Sequence, residues 1–126
     1  MSILLKASFV YFSIDDETVL IGFADDEFET KEYVLFQKSL WIEDIPVLNN
    51  VHITINSENR SAYGEILRII LSRKFISIFL SKDTASSLGV SDSIDIEYDI
   101  DEKEFKILIS HIQKLNVNQD IIIEVK

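Results

Sequence analysis

Apolar and polar residues alternate along most of this chain, and the alternation gives way to helical spacing in two places. Residues 4–14, LLKASFVYFSI, read as a strand, residues 15–17 as a turn, and residues 18–24, TVLIGFA, as the second arm of a hairpin. A charged loop, DDEFETK, leads to a third strand, EYVLFQKSLW, and a longer loop around Pro46. In VHITIN, Val51, Ile53 and Ile55 alternate with His52, Thr54 and Asn56, the signature of a half-buried strand. The polar run SENRSA then separates it from EILRIILS. In that segment Ile66, Leu67, Ile69 and Ile70 would also suit a helix, but the β-branched content and the nearby FISIFL favour a strand hairpin. SKDTASSLGV predicts a short helix, with Ser81 as N-cap and Gly89 beyond its end. DSIDIEYDI alternates as a strand. DEKEFKILISHIQKL predicts a long helix capped by Asp101 with Glu104 in a box spacing, its Phe105, Leu108, Ile109, Ile112 and Leu115 forming one apolar stripe. IIIEV at 121–125 reads as a last strand. The expected fold is α+β: a largely antiparallel β-sheet with one long C-terminal helix and one short helix packed on it. A sheet covered on one face leaves the other face and its edges for other work.

Composition narrows the function classes. The 126 residues suit a single domain spanning 1–126, and 47% hydrophobic content with three Gly and one Pro marks a globular chain. The absence of cysteine excludes disulfides, thiolate catalysis and thiolate metal sites. The segment MSILLKASF is too short in apolar residues for a signal-peptide core, and no run approaches a membrane span, so a cytoplasmic protein is expected. A net charge of −10 disfavours nucleic acid and anionic membrane as partners. The charge is uneven: residues 15–32 carry −7, residues 92–104 carry −6 and residues 60–82 carry +4.

Candidate chemistries fail on spacing. His52 and His111 have no acid at strand or helix spacing, and no HExxH or His/carboxylate pattern exists. DIEYDIDEKEFK resembles a calcium loop in its first acids. Ile100 then stands where the sharp turn needs glycine, and Lys106 where a bidentate glutamate belongs. No phosphate-binding glycine loop or nucleophile elbow appears, and the abundant carboxylates lie in expected loops rather than apolar pockets. Neither an enzyme nor a cofactor is expected.

One acidic feature has a geometry. If Ile94, Ile96, Tyr98 and Ile100 face one way, Asp95, Glu97, Asp99 and Asp101 face the other, with same-face residues spaced roughly 6.6–7 Å apart. Such a strip serves solubility, guards an edge, or awaits a basic partner. The acids at 25–29, by contrast, are expected in a mobile loop.

INSENRSAYGEI resembles a signature of the immunity protein 10 family of bacterial polymorphic toxin systems, an Ile-Asn, a polar run with Ser, then Tyr-Gly-Gly-Ile. Ile55, Asn56, Ser61, Tyr63, Gly64 and Ile66 fit it. Phe23, Ala24, Asp25, Phe28, Tyr33, Gln37 and Lys38 are similar to a second family segment, and the resemblance spans roughly residues 9–115. Ala62 and Glu65 depart from expected small glycines, and Glu58 from an expected amide. The resemblance implies a toxin-neutralising protein of bacterial competition that binds the C-terminal domain of a cognate toxin. The negative charge would suit a nuclease toxin with a basic cleft. Asp25, Asp26, Glu27, Asn56 and Glu58 are then toxin-binding candidates, together with Tyr63, Asp95, Glu97 and Asp99. For Tyr63 and Gly64 a purely structural role, at a sheet edge and a bend, competes with a contact role. A sheet edge also offers a route to self-association. Two other classes stay open: a small-molecule-binding or regulatory domain with the Tyr63 segment lining a pocket, and an acidic mimic of nucleic acid.

Overall fold

The computed structural model describes residues 3–41, 44–46, 50–117 and 120–126. Its fold is α+β, with ten strands and two helices among those residues. The first strand, β1 (Leu5–Lys6), is short. Then β2 (Phe9–Asp15), β3 (Thr18–Ala24), β4 (Tyr33–Ser39), β5 (Val51–Ile55) and β6 (Ser57–Gly64) pair antiparallel in chain order as a meander. Next come β7 (Ile66–Leu71), β8 (Phe75–Leu80), helix α1 (Lys82–Leu88), β9 (Ser93–Glu97), helix α2 (Glu102–Leu115) and β10 (Ile122–Val125). They form a second sheet with β1, in the order β1-β9-β8-β7-β10, whose two outer pairings are parallel.

The expected long and short helices are present, but the strands divide between two sheets. The division begins inside the segment read as one strand over 4–14. The Ala7 N–H bonds to the Glu97 carbonyl at 2.8 Å, while the Ser8 N–H bonds to Ala24 in the meander at 3.0 Å. Within two residues the chain changes sheets. The predicted turn after residue 14 is a two-residue hairpin loop, because Asp15 pairs with Thr18. Asp16 and Glu17 both have positive φ, 48° and 61°, as a turn matching the right-handed strand twist requires.

The polar run after VHITIN is itself a strand, β6, rather than a loop. Asn56 makes the reversal with φ 64°. Its N–H bonds to the Tyr33 carbonyl at 3.0 Å, and its Oδ1 accepts from the Tyr33 N–H at 2.8 Å. One residue thereby turns the chain and extends the β4–β5 ladder.

Both sheets direct alternate apolar residues into one core. Ile21, Phe36 and Ile53 come from the meander, and Ile69, Ile78 and Ile94 from the second sheet. The stripe of α2 buries Leu108, Ile112 and Leu115 and lies across β2 and β3. The helix begins as expected: Asp101 accepts from the Glu104 N–H, and Glu104 returns the contact to Asp101. Ser81 caps α1, and Gly89 leaves it at φ 71°. Tyr98 joins the sheets, its ring stacked 5.7 Å from Phe23 and its hydroxyl directed at the carbonyls of Ser72 and Phe75. Burial pushes the pKa of this phenol up. The loop around Pro46 lies partly outside the described residues. No helix of the described residues is long and apolar enough to cross a membrane.

Candidate functional site

The inner face of the meander is covered by the core, and its outer face is open. Strand pairing fixes which side chains share that face. Tyr11, Gly22 and Leu35 form one row, and Leu20, Gln37, His52 and Tyr63 another. Aromatic and aliphatic residues therefore occupy both faces of these strands, although only one face is buried. That double-sided apolarity is the sequence signal that alternation alone left unused.

One end of the face is acidic. The β3–β4 loop and the β5–β6 reversal meet there, because Ala24 pairs with Tyr33 and Val34 with Ile55. This brings together five of the sequence candidates: Asp25, Asp26, Glu27, Asn56 and Glu58. The loop is tied down by its own acids. Asp25 Oδ1 accepts from the N–H groups of Lys31 and Glu32 at 3.0 and 3.2 Å. Asp26 Oδ1 accepts from Phe28 and Glu29, both at 2.9 Å, and Thr30 Oγ1 donates to the Asp26 carbonyl at 2.6 Å. Those N–H donors hold both carboxyls below their ordinary pKa. The loop expected to be mobile carries these hydrogen bonds and presents Glu27, Glu29 and a Phe28 side chain 87% exposed.

Tyr63 lies toward the opposite end, 44% exposed, its ring 4.8 Å from that of His52. With Gln37, Asn50, Trp41 and Asp16 the pair borders an open depression of about 530 Å3. Lys38 turns to the inner face, is 2% exposed, and has its pKa lowered by burial. His111 sits against the Phe12 ring, with Nδ1 2.9 Å from the Ile107 carbonyl.

The remaining residues of the INSENRSAYGEI stretch carry structure. Arg60 Nε donates to the Leu88 carbonyl at 2.7 Å and Nη2 to Gly89 at 3.3 Å, closing the end of α1. At Gly64 an added Cβ would lie 2.3 Å from Thr84 Cγ2, so glycine permits the helix to approach. This close helix contact stands beside the expected bend, for β6 ends at Gly64 and the next strand, from Ile66, belongs to the other sheet.

The acidic strip of the other sheet is corrected. Asp95 does lie opposite Ile94 and Ile96, but it is only 4% exposed, flanked by β1 and β8. Ser77 and Ser93 donate their hydroxyls to its two carboxylate oxygens at 2.7 and 2.8 Å. Glu97 ends the strand in solvent. Asp99 lies beyond it in an exposed ion pair with Lys74 at 2.9 Å, and Asp101 is the α2 cap. The four acids have four different environments and form no continuous strip. Among the described residues no group of three or more His, Cys, Asp or Glu is placed to hold a metal.

A family model described as Immunity protein 10 matches residues 6–106. No curated protein and no solved structure matches the chain.

Proposed function

This chain belongs to the immunity protein 10 family, and from that premise we propose that it neutralises the C-terminal domain of a cognate toxin by non-covalent, charge-assisted binding, without catalysis of its own. The observation carrying this reading is the convergence of acids from separate segments, residues 25–32 and Glu58, at one end of an open, aromatic sheet face. Such a surface combines long-range attraction for a basic partner with the tyrosine-rich contact area that binding interfaces favour. Nucleic-acid-cutting toxins have basic clefts, so a nuclease domain fits this charge best.

The test is co-expression with the toxin domain encoded beside this chain's gene. Growth rescue and a stoichiometric complex on size exclusion are expected. A toxin that stays active and unbound in the presence of excess protein would overturn the proposal.

A second reading has one observation in its favour. The 530 Å3 depression bordered by Gln37, His52 and Tyr63 falls within the size range of small-ligand sites. A ligand whose binding is lost in Tyr63→Ala, with toxin binding intact, would support that reading.

A further inference from the structure

A smaller hollow occurs where the aromatic face meets the acidic end. Gly22 has no side chain to fill the outer face of β3, and the gap is lined by Phe9, Tyr11, Tyr33 and Leu35 together with Glu27. Its volume is about 230 Å3. That is below the roughly 300–1,000 Å3 of small-molecule sites and suits one large side chain of a protein partner. The Phe9 and Tyr11 rings stack along one wall with centroids 6.4 Å apart.

We propose that this hollow receives an arginine side chain from the bound toxin domain, its stem and guanidinium plane against the rings and its charge reaching Glu27. The inference rests on the toxin-binding reading above and names the contact. Three features select arginine over an apolar anchor. Aromatic faces attract a guanidinium, which is planar and more weakly hydrated than an ammonium. Glu27 lines the same hollow as the rings and is exposed, so the one site offers both an aromatic surface and a carboxylate. The loop bearing Glu27, residues 25–32, holds five acidic residues and one lysine, a net charge of −4, which draws basic groups to this end before any contact forms.

A first side-chain carbon fits at Gly22 without forcing the sheet. A Cβ at Gly22 would lie 3.4 Å from Leu35 Cδ1 and 3.7 Å from Tyr11 Cβ, ordinary contact distances. Gly22→Val extends two methyls beyond that carbon to fill the hollow from within, and valine suits a strand. Tyr11→Ala removes a wall from the exposed side of the edge strand β2 and serves as a second, independent probe.

The experiment measures affinity for the neighbouring toxin domain by calorimetry, beside a thermal melt of each variant. Gly22→Val and Tyr11→Ala should each weaken binding at least tenfold with a cooperative melt retained. Glu27→Gln should weaken it several-fold, and Ser13→Ala on the same face should not. If the parent binds no toxin, the functional reading falls and this inference falls with it. If the parent binds and both Gly22→Val and Tyr11→Ala bind equally well, the hollow is not a contact and only the inference is overturned. Loss in those two variants with Glu27→Gln unchanged would overturn the arginine assignment in favour of an apolar anchor. Should Gly22→Val fail to fold, Tyr11→Ala and Glu27→Gln decide by the same criteria.

Discussion

Gly64 and Asp95 show how a single position is constrained by neighbours far away in the chain. At Gly64 the added methyl of alanine would collide with Thr84 Cγ2 at 2.3 Å, and Thr84 is held by the Glu65 N–H and the Ser81 hydroxyl. Gly64→Ala should cost about 1–3 kcal/mol in urea unfolding, the range of overpacked sites. Thr84→Ser removes the colliding methyl and keeps the hydroxyl, so the double variant should be more stable than Gly64→Ala alone. A double variant no better than the single would mean that the strain lies elsewhere. Asp95 marks the limit of reading from alternation. Its sequence position gives the correct side of the strand, opposite Ile94 and Ile96, but not its depth. Depth is set by β1 and β8 on either side and by Ile3 and Phe79 beside it, none of which is adjacent in sequence. Asp95→Lys would place an ammonium among two serine hydroxyls and apolar groups, and should cost roughly 3 kcal/mol or more. Glu97→Lys, two residues on and exposed, should stay within about 0.5 kcal/mol. Equal melting temperatures for the two variants would contradict the burial.

Irregularities in the elements explain where the pattern was ambiguous. The strand β7 carries a bulge between Ile66 and Arg68, leaving Leu67 without a partner on β8. Buried Ile66 and Ile69 are then three residues apart, which is why the segment also reads as a helix. The polar run of β6 looked like a loop because its outer positions face solvent and its reversal depends on one residue, Asn56. The β2–β3 turn is a local feature that can be improved. Glutamate at φ 61° is disfavoured, since side chains other than glycine and asparagine pay about 1–2 kcal/mol in that region. Asp16→Asn with Glu17→Gly should raise stability by about 1 kcal/mol, read as a higher urea midpoint at unchanged slope; an unmoved midpoint would count against the turn assignment. The β3–β4 loop has a pH dependence of definite sign. Asp25 and Asp26 have folded-state pKa values below the ordinary 3.8. Their support for the loop is complete above that value and is lost as pH falls through the lowered ones. Amide exchange at Phe28, Glu29, Lys31 and Glu32 should therefore show unchanged protection, after correction for intrinsic rates, from pH 7 to 5. Protection that fades across that range would show that the carboxylates do not hold these amides.

At the scale of the molecule, the family-like stretches were legible and the way they come together was not. Periodicity located nearly every element, but no local pattern announces that residues 7 and 8 belong to different sheets or that β10 returns parallel to β7. The acidic end has the same character: it forms from residues 25–32 and Glu58 only because the meander folds both to one side. The resulting field yields a prediction of its own. Glu27, Glu29 and Glu58 are exposed, whereas Asp25 and Asp26 are committed to backbone N–H groups. Attraction at long range depends on all of these charges, but direct contact with a partner falls mainly to the first three. Electrostatic steering can raise association toward about 10⁸ M⁻¹s⁻¹ at low salt, and salt screens it over a Debye length of about 8 Å at physiological ionic strength. Stopped-flow mixing with the toxin domain should show an association rate that falls several-fold between low and physiological salt while dissociation changes little. Glu29→Gln with Glu58→Gln should reduce both the low-salt rate and its salt dependence. The equally exposed pair Glu102→Gln with Lys106→Gln on α2 removes one charge of each sign, leaves the net field nearly unchanged, and should leave the rate nearly as it was. Were both pairs to slow association alike, the attraction would not be centred on this end. An association rate insensitive to salt in the parent would exclude steering altogether and leave short-range contacts on the aromatic face to account for recognition.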